Sequence, residues 1–379
     1  MSKAILSNAR VVLAGEVISG TVQMRGGLIA AINQGTSLAA GREDLEGDYL
    51  APGFVELHTD NLERHLMPRP KVRWPELPAM MSHDAEVASA GITTVYDALG
   101  VGDSDPEAMR GQDMEPVVAA LREAHKSGLL RAEHRLHIRC ELPAPNTLSL
   151  FESFVDDPLV GLVSLMDHTP GQRQWEDVEQ ARIYFTGKKG WSREKFERCV
   201  FESVELQERY AVPHRRYLTD YARQRGIALA SHDDTKPEHV EQAYGEGVTI
   251  CEFPTRVEAA RAARVRGMST VMGAPNVVRG GSHSGNVAAL ELARLGLLDT
   301  LSSDYVPASL LIGAFRLVDS ASFTVPAAIA TISRNPARSL GLDDRGEIRQ
   351  GLRADLVQIR VRNRQPIVRA VWRGGKRVF

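Results

Sequence analysis

The chain has 379 residues, 43% hydrophobic and 25% charged, and its 46 basic and 48 acidic side chains leave a net charge of −2. Such a balance gives no electrostatic case for nucleic acid or an anionic membrane surface, and no run of 18 apolar residues offers a membrane span. Cys140, Cys199 and Cys251 are well separated and form no CxxC pair, which fits a reducing, cytoplasmic setting better than a disulfide framework.

From the N-terminus, Met1 to Val12 lacks the apolar core and cleavage site of a signal peptide. Ala4-Ile5-Leu6, Ala9 to Leu13, Thr21 to Met24 and Leu28 to Ile32 read as short strands between glycine-containing turns. The far end has the same texture, with strands predicted at Gly346 to Ile348, Ala354 to Ile359 and Ile367 to Trp372. Neither end has enough strands to be stable alone, so the two are expected to pair into one small β domain. Between them, eight apolar runs alternate with helical stretches. The runs are Phe54 to Leu57, Ile92 to Tyr96, Leu136 to Cys140, Val160 to Met166, Ile227 to Ala230, Thr249 to Phe253, Thr270 to Met272 and Thr300 to Ser302. Helices are predicted at Ser192 to Tyr210, Glu238 to Glu246 and Val287 to Leu295. This alternation predicts a parallel sheet in the α/β class, a (β/α)8 TIM-like barrel with a doubly wound sheet as the alternative. The expected division is 1–51 for the first part of a β-sandwich, 52–335 for the barrel, and 336–379 for a closing helix and the rest of the sandwich.

In a barrel, chemistry gathers at the C-terminal ends of the strands. His58-Thr59-Asp60 follows the first run, and residues two apart on a strand face the same side. Glu141 follows the third run, Asp167-His168 the fourth, Ser231-His232-Asp233-Asp234 the fifth and Asp304 the eighth. Each alone reads equally as a loop residue, and Asp304 could cap a helix near Pro307. Together His58, Asp60, Glu141, His168, His232 and Asp304 offer imidazole and carboxylate ligands for one or two divalent ions. Zinc comes first, with manganese or iron as alternatives.

Tyr49-Leu50-Ala51-Pro52-Gly53-Phe54-Val55-Glu56-Leu57-His58 resembles the strand-one signature of the amidohydrolase superfamily. Asn335-Pro336-Ala337-Arg338-Ser339-Leu340-Gly341-Leu342 resembles its closing helix, and Gly346 to Val357 its return into the β domain. His58-Thr59-Asp60-Asn61-Leu62-Glu63-Arg64-His65, His83-Asp84-Ala85, Ser231-His232-Asp233-Asp234-Thr235 and Gly273 to Asn286 are similar to the phosphonate-metabolism (PhnM) branch. The resemblance implies metal-dependent hydrolysis of α-D-ribose 1-methylphosphonate 5-triphosphate to the 5-phosphate and pyrophosphate. Where the superfamily has His-x-His, this chain has His58-Thr59-Asp60, and Glu141 replaces the usual bridging Lys. The superfamily's later His pair sits on strands five and six, whereas His168 and His232 follow runs four and five.

On this reading Asp304 is the general base. A phosphorylated sugar phosphonate is the partner, with no nucleic acid or membrane, and a homodimer is the default assembly. Arg69, Arg73, Arg173, Lys236 and Arg279, with His283 and Ser284 in a glycine-rich loop, are the candidates for holding the triphosphate. Two alternatives remain: the same centre acting on an N-acyl or cyclic amide, or a barrel retained as a binding module.

Overall fold

The computed structural model describes residues 3–102, 114–282 and 285–379. The terminal β domain forms as the two ends predict. One sheet holds Lys3–Val12, Val17–Arg25, Leu28–Gln34, Glu43–Asp44, Tyr49–Pro52, Leu356–Arg362, Gln365–Arg373 and Lys376–Arg377. The ends join where Leu356 to Ile359 runs antiparallel to Tyr49 to Pro52. The strands bury one apolar cluster that includes Leu6, Val11, Val22, Met24, Ile29, Leu50, Leu356 and Trp372. Residues from both ends meet in that cluster, so neither end could complete it alone.

The eight apolar runs are eight strands of a second, parallel sheet. In chain order they are barrel strand one (Phe54–Thr59), two (Ile92–Val101), three (Glu133–Glu141), four (Val160–Met166), five (Ala228–His232), six (Ile250–Glu252), seven (Ser269–Gly273) and eight (Thr300–Ser302). They lie side by side in sequence order, and an isolated parallel bridge pairs Thr59 with Asp304. With helices between the strands this is the (β/α)8 architecture. Every residue of strands one and two is buried, which is why they read as near-continuous apolar runs.

By packing, the chain falls into two compact units. The first comprises 1–97, 116–135 and 272–379, and so holds the terminal sheet and barrel strands one and eight. The second comprises 98–115 and 136–271, with most of strand three and all of strands four to six.

The run predicted from Phe54 is the barrel strand Phe54–Thr59, and Gly53 separates it from Tyr49–Pro52 in the terminal sheet. A side chain at Gly53 would collide with Thr93, whose Oγ1 would lie 2.3 Å from its Cβ. Two local expectations change. Gly346 to Ile348 is a turn rather than a strand. Gly346 has φ +86° and passes so close to Arg334 that a Cβ would come within 2.9 Å of its Cα. The helix predicted to end at Tyr210 runs Arg193–Arg225, straight past Pro213. Beyond the proline, Ala211, His214, Arg215 and Leu218 are buried, and His214 Nδ1 donates to the Leu142 carbonyl at 2.9 Å. That tertiary anchoring outweighs the backbone hydrogen bond a proline removes.

Candidate metal centres

In the first unit, His58, Asp60 and Asp304 converge, with one ligand-capable atom from each within 4.8 Å of the others. Strand alternation aims His58 and Asp60 the same way. Asp304 reaches them because the segment after strand eight is zipped to strand one. Asp60 N–H donates to the Asp304 carbonyl at 2.8 Å, Asp304 N–H to the His58 carbonyl at 3.2 Å, and Thr59 Oγ1 to the Asp304 carbonyl at 2.8 Å. Asp304 does not cap a helix: the next one starts at Ser309 with Ala308 at its N-cap. Just below lies Glu56, wholly buried, its carboxyl pushed up to about 7 by burial against the pull of the Ser303 and His58 N–H groups.

The second unit brings His168, His232 and Asp233 together. His232 ends strand five, and Asp233 follows at φ +56° with its N–H on the Glu252 carbonyl at 2.9 Å. Glu141, ending strand three, holds His168 with both oxygens. Oε1 accepts the His168 N–H at 2.9 Å, and Oε2 pairs with Nδ1 at 2.5 Å. Burial pushes the His168 imidazole down, but the adjacent carboxylate prevails and raises its pKa. Likewise burial pushes Glu141 up and His168 pulls it lower still. His232 is steadied from the other side. Its Nδ1 donates to Glu252 Oε2 at 2.8 Å, an oxygen that also accepts from Ser164 Oγ at 3.0 Å, and His137 Nε2 contacts that hydroxyl in turn.

Separations between ligand atoms show what such clusters can hold. Two ligands about 2.1 Å from one tetrahedral ion lie roughly 3.4 Å apart. His58 Nε2 is 3.9 Å from Asp60 Oδ1, His168 Nε2 is 3.8 Å from Asp233 Oδ2, and His232 Nε2 is 3.5 Å from that same oxygen. These distances exceed a good hydrogen bond and suit a shared cation, so imidazole and carboxylate donors here fit a divalent metal. A third cluster in the first unit, His83, Asp97 and His134, does not fit. His83 Nε2 and His134 Nδ1 take different Asp97 oxygens at 2.7 and 2.8 Å, the spacing of shared protons.

The expected phosphate ligands are scattered in their roles. Arg69 and Arg279 are exposed. Arg73 pairs with Glu76 at 3.0 Å, and Lys236 with Glu176 at 2.5 Å. Arg173 is buried, with its guanidinium on Asp234 and on the His232 carbonyl. His283 and Ser284 lie outside the described residues. Sequence reasoning passed over Glu56, His137, Asp233 and Glu252. Glu56 and Glu252 were visible as lone carboxylates inside apolar runs, and Asp233 stood beside a chosen ligand.

The amidohydrolase family pattern matches residues 200–379. The chain is 49% identical over 377 residues to the alpha-D-ribose 1-methylphosphonate 5-triphosphate diphosphatase of Escherichia coli, covering 99% of this chain and 100% of that protein. Among solved structures, N-isopropylammelide isopropylaminohydrolase from Burkholderia multivorans superposes with a TM-score of 0.64 at 15% identity, covering 100% of this chain and 98% of the other. The 5-methylcytosine deaminase of Klebsiella pneumoniae gives 0.64 at 17% identity, covering 99% and 98%. At that identity the structural likenesses show the fold alone. The full-length relative shows more: the chain belongs to the amidohydrolase superfamily, in its phosphonate-metabolism branch.

Proposed function

We propose that the protein hydrolyses alpha-D-ribose 1-methylphosphonate 5-triphosphate to the 5-phosphate and diphosphate. The observation that carries this reading is the near-full-length likeness to a diphosphatase of that name, in a chain that retains two imidazole–carboxylate clusters at the ends of barrel strands. His58, Asp60 and Asp304 would hold one divalent cation, and His168, His232 and Asp233 would hold another. Zinc is the first choice, with manganese or iron as alternatives. A cation so held supplies charge neutralisation and lowers the pKa of water toward neutrality.

The chain's own groups do the rest. Asp304 accepts the proton of the attacking water as its oxygen bonds to the α phosphorus. The bridging P–O bond breaks and diphosphate leaves with the electron pair, a displacement that depends on positioning and charge neutralisation. Glu141 and Glu252 keep His168 and His232 in one tautomer each, with Nε2 turned to the cluster. Arg69 and Arg279 are the exposed guanidinium groups available to a polyphosphate, and Lys236 joins them if its pairing with Glu176 opens. His283 and Ser284 complete the proposed binding set. The boundaries 51/52 and 335/336, a cytoplasmic location and a homodimer belong to the same proposal. Among the described residues no helix is long and apolar enough to cross a membrane.

The test measures diphosphate release from the ribosyl triphosphate beside a panel of N-acyl and cyclic amides. Triphosphate turnover supports the reading. Amide hydrolysis with the triphosphate left intact replaces it by the amidohydrolase alternative. Asp304→Asn is expected to cost about 10²–10⁴-fold in turnover, the usual worth of a general base.

A further inference from the structure

We infer that Glu56 is a positioning residue whose carboxylate clamps barrel strand one to barrel strand eight and so sets the spacing of His58, Asp60 and Asp304. This rests on the reading of those three residues as a metal centre and adds a residue that centre depends on.

Glu56 precedes His58 by two positions and faces the same way. It has no exposed surface, and a carboxylate is tolerated there only if its oxygens are satisfied. Each one is. Oε1 accepts the His58 N–H at 2.7 Å and Oε2 accepts the Ser303 N–H at 2.6 Å. His58 is itself in the cluster, and Ser303 immediately precedes Asp304. A single side chain therefore grips the backbone on both sides of the cluster. Asp304 has φ +55°, a left-handed conformation that a non-glycine residue keeps only where its surroundings over-determine it. The Glu56–Ser303 bond fixes the residue before it, and the hydrogen bonds among Thr59, Asp60, His58 and Asp304 fix the residue itself.

The chemistry requires two acceptor oxygens. Both donors are backbone N–H groups, so both side-chain atoms must accept. A glutamine has one acceptor and one NH2, and the NH2 would face an N–H. An apolar residue of similar volume would leave two buried N–H groups unsatisfied.

The experiment titrates the full-length protein with Zn²⁺ or Mn²⁺ alone, in competition with a chromophoric chelator. Glu56→Gln should weaken binding at one site by about tenfold or more, the range for supports of metal ligands. Arg345→Met is the stability control. It breaks a buried contact of the same unit, where Arg345 Nη1 meets Thr94 and Glu133 at 2.8 Å, and should leave metal affinity unchanged. Asp60→Asn tests the underlying centre and should abolish one site. If Asp60→Asn loses a site while Glu56→Gln keeps full affinity, the clamp is wrong and the centre stands. If Asp60→Asn keeps both sites, the centre itself fails. An equal loss in Arg345→Met reduces Glu56 to general stability and overturns the inference. Should Glu56→Gln not fold, amide exchange in the metal-free wild type decides. The His58 and Ser303 amides should exchange as slowly as that of Leu356 in the terminal sheet, and rapid exchange at either overturns the clamp.

Discussion

Glu252 shows how much a single buried carboxylate can control. One of its oxygens accepts from both His232 Nδ1 and Ser164 Oγ, so the imidazole keeps its proton on Nδ1 and presents Nε2 to Asp233 and His168. A carboxylate partner of this kind orients a ligating imidazole. Glu252→Gln would keep one carbonyl acceptor for Nδ1 and the Ser164 hydroxyl but remove the negative charge that supports the imidazole. We expect metal affinity at the second cluster to fall about 10–100-fold, read by chelator competition, with Ser164→Ala giving a smaller loss. Unchanged affinity in Glu252→Gln would remove it from that role. Glu252 was legible only in part. It lies within the apolar run Thr249 to Phe253, and a search confined to residues that follow each run steps over a carboxylate inside one. His58, Asp60, His232 and Asp304 stood at run ends, where a barrel gathers its chemistry. Which strand face a mid-run residue occupies depends on register, and register is a tertiary property.

At the scale of elements, helix Glu76–Ser89 is bolted to barrel strands two and three by a buried chain of hydrogen bonds. Asn61 meets His83 Nδ1 at 3.0 Å, and His83 and His134 each hold one Asp97 oxygen. The far nitrogen of His134 lies 3.3 Å from Asp84, which also binds Arg131 at 3.0 Å. With a carboxylate on each ring nitrogen, His134 is held as an imidazolium. Burial pulls its pKa down, but Asp97 and Asp84 lift it to about 9. His83 goes the other way, lowered by burial despite Asp97, and His65 and Glu86 stand on its far side. A folded pKa above the unfolded value of His134 contributes stability that is complete below about 6.5 and fades as pH rises through about 9. The contribution is about 3 kcal/mol. Thermal melting between pH 6 and 10 should therefore show a decline that sets in above about pH 6.5 and levels off above about 9, which His134→Gln abolishes, while the variant is already destabilised at pH 7. A wild type and variant that decline in parallel would refute the charged state of His134. None of this was visible in sequence: His83, Asp97 and His134 come from three separate elements, and only Asp97 adjoins an apolar run.

For the whole molecule, the eight-stranded sheet was readable because parallel strands buried on both faces must be apolar throughout, and helices must separate them. The pairing of the two chain ends was readable for a related reason, since neither end could close a core alone. What burial alone does not encode is where strands break. Gly346 interrupts a predicted strand through its close approach to Arg334, a contact that no local pattern announces. The same whole-molecule view predicts how metal should bear on stability. His58, Asp60 and Asp304 lie in segments about 245 residues apart in the chain, as the Thr59–Asp304 hydrogen bond records. An unfolded chain cannot assemble such a site, so a bound ion favours the folded state by mass action. At metal concentrations one hundred times the dissociation constant, each site should add about 2.7 kcal/mol. Chelator-treated protein should melt below the metal-loaded form, and the difference should grow with the logarithm of free metal. Asp60→Asn should flatten part of that dependence and Asp233→Asn another part, because the two residues belong to different clusters. A melting temperature indifferent to metal in the wild type would mean that these clusters bind no ion in the folded protein.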